Sequence, residues 1–222
     1  ALPESCREAR SCGSLEKIAS AAAELLRSNI EPAFVVASPL NGATSGAGTE
    51  TEQANWRLSV GLEGFGETVQ AQAERCTDLF ARNGLQAEAA RGYPVEDGLF
   101  ADTDASLHRA LFLLRADLPI DKVKDFVEAA AGAMQTEGLF ADFGCGRVRV
   151  GMADLSEEAW ERLCGHARDL DGHILLEKAS DDFKMRQDVY GPFQRAWKVM
   201  HKVKEALDPK NIFAPGRLPG RK

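Results

Sequence analysis

No stretch of the chain approaches the roughly 20 apolar residues that span a bilayer. The start, Ala1-Leu2-Pro3-Glu4, lacks the charged beginning and apolar run of a secretory leader. Cysteines are few and badly spaced for chemistry. Cys6, Cys12, Cys76, Cys145 and Cys164 are odd in number and form no C-x-x-C pair, which excludes the common zinc and iron–sulfur frameworks. They are expected to be reduced thiols that pack, in a cytoplasmic protein. Histidines are scarcer still: His108, His166, His173 and His201 stand alone, with no H-x-H or H-E-x-x-H, so no metal site is expected. The glycine-rich stretch 38–54 has neither G-x-x-x-x-G-K-[ST] nor G-x-G-x-x-G and reads as a loop rather than a phosphate cradle. No elbow motif surrounds any serine or cysteine, so a nucleophilic hydrolase is excluded and no catalytic residue can be assigned.

What remains is ordinary for a globular protein with a sizeable core: 222 residues, 44% hydrophobic and 27% charged. The net charge of −7 is uneven. From Lys184 onward ten Lys/Arg face three acids, giving +7 there and leaving −14 over residues 1–183. An acidic body would repel nucleic acid, which is not expected as a partner. The basic end is suited to an anion or to an acidic partner surface.

In chain order, residues 1–13 read as a loose linker remnant, and the lack of an initiator Met raises the expectation of a piece of a longer protein. Ser14 can cap a helix over 15–27, and the run 33–37 is a buried strand. Residues 56–63 alternate as a strand and lead into a helix over 66–82, stopped by Asn83-Gly84, before a short strand over 86–91. The pattern then repeats. A strand over 109–116 is followed by a helix opening at Pro119, a strand over 139–143, a strand over 147–152, a helix opening at Ser156 and a strand over 173–178. Two strand–helix–strand units predict an α+β fold, a ferredoxin-like antiparallel sheet with helices packed on one face. The domain is expected to span 14–183, with 184–222 as its C-terminal helix and returning tail.

That last segment carries the most specific pattern. Phe193, Trp197, Met200, Val203 and Leu207 recur at helical steps and predict a helix over 193–207 with one buried face. Asp208-Pro209 ends it. Ile212 and Phe213 are expected to anchor the tail to the core, and Pro215-Gly216 to turn it and present Arg217.

The order helix, L-D-P-x-x-I-F-x-P-G-R-L resembles the C-terminus of FAD-linked oxidases of the vanillyl-alcohol oxidase and D-lactate dehydrogenase type, most of all the FAD-binding subunit of bacterial glycolate oxidase. Leu175 to Ala179 and Asp188 to Pro192 match that subunit's last strand and the turn after it. Ala214 stands where the family usually has Asn, and Lys178 and Tyr190 replace the common Arg and Trp. The resemblance implies a cap, or substrate, domain of an FAD-dependent 2-hydroxy-acid oxidase. FAD would be held mainly by an FAD-binding domain missing from this chain, and this chain alone would be inactive. It implies Gly216 and Arg217 as flavin-side contacts. Arg147, Arg149, Lys178 and Arg186 are candidates for a substrate carboxylate, because guanidinium forks match carboxylates. It implies further oxidase subunits as partners, including an iron–sulfur subunit, and a cytoplasmic site, peripheral to the membrane through a complex. The region 142–147 lacks the histidine ligands of the wider D-lactate dehydrogenase group. Two other readings stand: a non-catalytic assembly module of an oxidoreductase complex, and an unrelated ferredoxin-like ligand-binding domain.

Overall fold

The computed structural model describes residues 3–40, 56–88, 91–92, 107–133, 135–192 and 195–220. In order, the elements are β1 (Ser5–Gly13), α1 (Leu15–Leu26), β2 (Phe34–Pro39), β3 (Trp56–Gly64), α2 (Gly66–Arg82), β4 (Gln86–Ala87) and β5 (Arg91–Gly92). Then come β6 (Phe112–Asp117), a 3-10 turn (Ile120–Lys122), α3 (Val123–Ala133), β7 (Gly138–Asp142) and β8 (Arg147–Met152). The chain closes with α4 (Glu157–Asp169), β9 (His173–Lys178), α5 (Asp181–Arg186) and α6 (Trp197–Leu207).

Local chemistry sets the helix boundaries. Ser14 and Ser156 cap α1 and α4, their hydroxyls accepting from the amides of Lys17 and Ala159, as the sequence predicts. Gly84, at φ +64°, follows the end of α2. Three helices each bury one stripe: Leu15, Ile18, Ala22 and Leu25 on α1; Val69, Ala73, Cys76, Leu79 and Phe80 on α2; Trp160, Leu163 and Cys164 on α4.

The strands form one antiparallel sheet in the order β4-β1-β3-β2-β7-β8-β6-β9, with β5 also on β1. Within β1 to β4 the spatial order is fourth, first, third, second. Within β6 to β9 it is the same order reversed. The two units therefore repeat one ferredoxin-like topology and join at equivalent strands, β2 to β7, through the pairs Val36–Asp142 and Ala37–Ala141. The predicted α+β class is what is observed. The inner faces of α1 to α4 and of the strands merge in one apolar core.

Two expectations are corrected here. Residues 5–13, read as part of a loose linker, form a nine-residue strand, β1, paired along its whole length with β3. Its helix-side positions are Ala9 and Ser11, both buried, small enough to fit under α2. No large apolar residue alternates there to announce a strand. The second strand expected to be continuous, 109–116, begins only at Phe112, after a helical turn at 107–109.

On the sheet face away from the helices, a few contacts fix the register. Phe34 on β2 lies across from Gly61 on β3, where an added Cβ would fall 2.0 Å from the ring. Glu8 is buried on this face and meets Arg10 Nε at 2.6 Å.

Candidate functional site

The chemistry-bearing residues gather in two places: the open sheet face of the second unit and the C-terminal arm. In β6, β8 and β9 the alternation is regular. Phe112, Leu114, Ala116, Val148, Val150, Ile174 and Leu176 point into the core. The residues between them therefore project from the opposite face. There Arg115, Asp117, Arg147, Arg149 and Glu177 form a ladder of charge. Arg147 Nε meets Asp117 Oδ1 at 2.7 Å, and Arg115 Nε meets Asp117 Oδ2 at 2.9 Å. Arg115 reaches on to Glu177 at 3.4 Å, and Arg149 Nε lies 3.5 Å from the same carboxylate. His173 Nε2 sits 3.4 Å from Asp117.

Three guanidiniums thus face two carboxylates. Burial pushes the Asp117 carboxyl up, but the Arg147 hydrogen bond and the charges of Arg115, Arg147 and His173 more than reverse this and hold it below the ordinary value. Arg149 Nε is buried, and its approach to Glu177 lacks hydrogen-bond geometry.

Of the four residues proposed for a substrate carboxylate, only Arg147 and Arg149 meet in this ladder. Lys178 donates instead to the carbonyls of His108 and Ala110, at 3.0 and 2.6 Å, closing the turn that precedes β6. Arg186, on α5, bonds Glu157 at the start of α4 at 2.7 Å. Sequence reasoning missed Arg115, Asp117 and Glu177, although Arg115 and Glu177 lay on predicted strands and Asp117 just beyond one. What the sequence does not carry is the register that sets β6 between β8 and β9.

The C-terminal arm departs further from expectation. Of the predicted inner face of the last helix, Trp197 is buried, but Met200, Val203 and Leu207 are 47%, 52% and 79% exposed. Phe193 lies outside the described residues. Ile212 and Phe213, expected to anchor the tail, are 66% and 72% exposed. An apolar face of this extent has nothing to lie against among the described elements, since α6 touches none of them broadly.

The arm is instead held by polar clasps. Asp208 is buried, and its carboxylate accepts from the amides of Ile212 and Phe213, both at 2.9 Å, and from Lys204 Nζ. Lys204 donates also to the Phe213 carbonyl. The Lys204 hydrogen bond is the main cause that brings the Asp208 carboxyl down to about 2, helped by the two amides and opposed by desolvation. Farther along, Tyr190 donates its hydroxyl to the Arg217 carbonyl at 3.0 Å, and Gly220 N donates to Asp188 Oδ2 at 2.8 Å. His201 Nε2 lies 2.9 Å from the Pro219 carbonyl. The path between has Asn211, Ala214 and Gly216 at positive φ. Arg217 is exposed, and no hydrogen bond or ion pair of its guanidinium to a described residue is found.

A cleft of about 540 Å³ lies where the arm meets the body, lined by Trp160, Cys164, Asp188, Gly191 and Trp197 among others. Burial raises the Cys164 thiol to about 12, so it lines this cleft as an unreactive neutral group. No group of three His, Cys, Asp or Glu among the described residues could hold a metal. No described helix is long and apolar enough to cross a membrane.

Residues 184–218 match the family model described as FAD linked oxidases, C-terminal domain. Among solved structures, the chain resembles p-cresol methylhydroxylase with substrate bound at 17% identity and TM-score 0.54, over 97% of this chain and 53% of that one. An alkyldihydroxyacetonephosphate synthase aligns at 13% identity and TM-score 0.55, over 98% of this chain and 46% of that one. A VAO-type flavoprotein of Myceliophthora thermophila C1 aligns at 14% identity and TM-score 0.50, over 92% and 45%. No curated protein sequence matches the chain. The final segment thus resembles the FAD-linked oxidase C-terminal domain, and the chain has a fold that these flavoproteins share. The chain spans about half the length of each of these structures.

Proposed function

We propose that this chain is the substrate-side domain of an FAD-dependent oxidase subunit acting on a 2-hydroxy acid of the glycolate type, with FAD held mainly by a separate domain. The observation that carries the reading is the arm. It exposes Met200, Val203, Leu207, Ile212 and Phe213 while polar clasps keep its path fixed and leave the Arg217 guanidinium unbonded among the described residues. A surface so apolar, on a segment of net charge +7, is suited to being covered by a complementary domain. Arg217 and the Gly216 backbone would then stand at the flavin side, and a guanidinium there suits an anionic or electron-rich edge.

The residues present fit a supporting role toward FAD rather than its main grip, since the glycine-rich stretch matches neither common phosphate-binding motif. FAD, when bound, supplies the two-electron oxidation; this chain positions and excludes water. On the sheet face, Arg147 and Arg149 would receive the substrate carboxylate, drawing on the excess of guanidinium over carboxylate in the ladder. Other oxidase subunits, among them an iron–sulfur subunit, would be the partners, in the cytoplasm and peripheral to the membrane through the complex.

A second reading, a non-catalytic assembly module, is favoured by one feature: Arg147 already has an internal carboxylate partner at 2.7 Å. One experiment separates them. Expressing the complete reading frame should give a protein with flavin absorbance bands that weaken in Arg217→Ala. A colourless protein sinks the oxidase reading. Flavin bands that ignore Arg217→Ala remove Arg217 from the cofactor side.

A further inference from the structure

We infer that Asp208, with Lys204, is a positioning residue for Arg217, acting through the backbone of the arm; this rests on the flavin reading above. The reasoning starts from what holds the tail in place. Its apolar side chains cannot do so, because Leu207, Ile212 and Phe213 lie largely in solvent. The turn after α6 is instead organised around one carboxylate. Asp208 takes the amides of Ile212 and Phe213 on separate oxygens, its own carbonyl takes the amide of Asn211, and Lys204 bridges its carboxylate to the Phe213 carbonyl.

This arrangement solves a backbone problem. Asn211 and Ala214 sit at φ +50° and +44°, a region costing an L-residue about 1–2 kcal/mol. Charge-assisted hydrogen bonds to a buried carboxylate are strong enough to offset that. Three residues beyond Ala214 the Tyr190 hydroxyl catches the Arg217 carbonyl, and Asp188 catches the Gly220 amide. Arg217 is therefore suspended between a clasp at 208–213 and a strap at 217–220. Both ends are polar and internal to this chain, so the arm has its shape before anything covers it. Pre-organisation of this kind lowers the ordering cost when the guanidinium meets its target. The Asp-Pro pair, read from sequence only as a helix stop, is on this account what aims the arginine.

The test is a cycle in the complete protein, read as the dissociation constant for FAD by fluorescence titration. Asp208→Ala and Arg217→Ala should each weaken FAD by about tenfold, the scale of one anchored charge contact. The double variant should be no weaker than either single one, because Asp208 acts through Arg217. Lys204→Arg, which keeps a donor, should restore most of what Lys204→Ala loses. The thermal midpoint should stay within the wild-type range in all of them, since the clasp lies outside the core. An unchanged FAD affinity in Asp208→Ala, or additive losses in the double variant, overturns the positioning role while leaving the flavin reading intact. A wild-type protein that takes up no FAD overturns the flavin reading itself, and is seen before any variant is compared.

Discussion

Single residues carry the strain and the charge of this molecule, and both are testable. Gly146 turns β7 into β8 at φ +71°, and an added Cβ would fall 2.1 Å from the Leu118 carbonyl, in a turn where Leu118 N already donates to Gly146 O at 2.8 Å. Gly146→Ala should lower stability by about 2–3 kcal/mol, measured by urea unfolding. Ala214 shows the opposite case. It occupies a left-handed position where Asn is tolerated better, so Ala214→Asn should slow amide exchange over 211–217 by relieving up to about 1 kcal/mol of strain. The departure at Ala214 was legible in the sequence, but only as an Ala where the resembling family usually has Asn; the backbone conformation at that position was not. Asp208 sets a pH limit on the arm. Its carboxyl is depressed in the folded state to about 2, so its contribution is complete above the unfolded value of about 4 and is lost as pH falls toward about 2. The amide resonances of Ile212 and Phe213 should therefore hold their positions down to about pH 4 and move below it. Movement between pH 5 and 7 would mean that another group holds the turn.

At the level of elements, periodicity located α1 to α4 because each of them buries a single apolar stripe, capping serines marked where α1 and α4 begin, and the short α5 went unread. Strand β1 stayed hidden because Ala9 and Ser11 are small and its other face is charged, so pairing with β3 rather than its own pattern makes it a strand. The last helix failed in the other direction. Its stripe was read correctly as apolar and wrongly as buried, since a periodic sequence says that a face will be covered, not by what. This gives a clear contrast within α6. Trp197 is 5% exposed and packs against Gly220, so Trp197→Ala should cost about 3–5 kcal/mol. Val203→Ser, on the exposed stripe, should leave the unfolding midpoint of this chain within about 0.5 kcal/mol of wild type. If Val203→Ser destabilises as much as Trp197→Ala, the stripe is packed in solution and the docking surface disappears.

Across the whole molecule, two units of the same topology meet where β2 pairs β7 through two residue pairs, Val36–Asp142 and Ala37–Ala141, supported by Phe143 N donating to Val35 O at 2.8 Å. So short a ladder would not by itself couple two domains. The core does: Ala37 and Ala141 are buried at the seam, α1 touches α3 above it, and the apolar cluster runs without interruption from Val60 to Val150. The repeat was legible as two strand–helix–strand patterns. The joining of second strand to second strand was not, because pairing between edges depends on register and on what each edge leaves open. The physical consequence is one cooperative unit rather than two beads. Trp56 lies in the first unit and Trp160 in the second, both fully enclosed. Proteins keeping only one of these two tryptophans, with Phe at the other and at Trp197, should show the same urea midpoint by fluorescence once each is referred to its own far-ultraviolet dichroism. Ala141→Phe, which overfills the seam, should lower both midpoints together. If it lowers only the Trp160 transition, the units fold independently, and the open sheet face is a hinge between two domains rather than the single rigid wall that a substrate pocket requires.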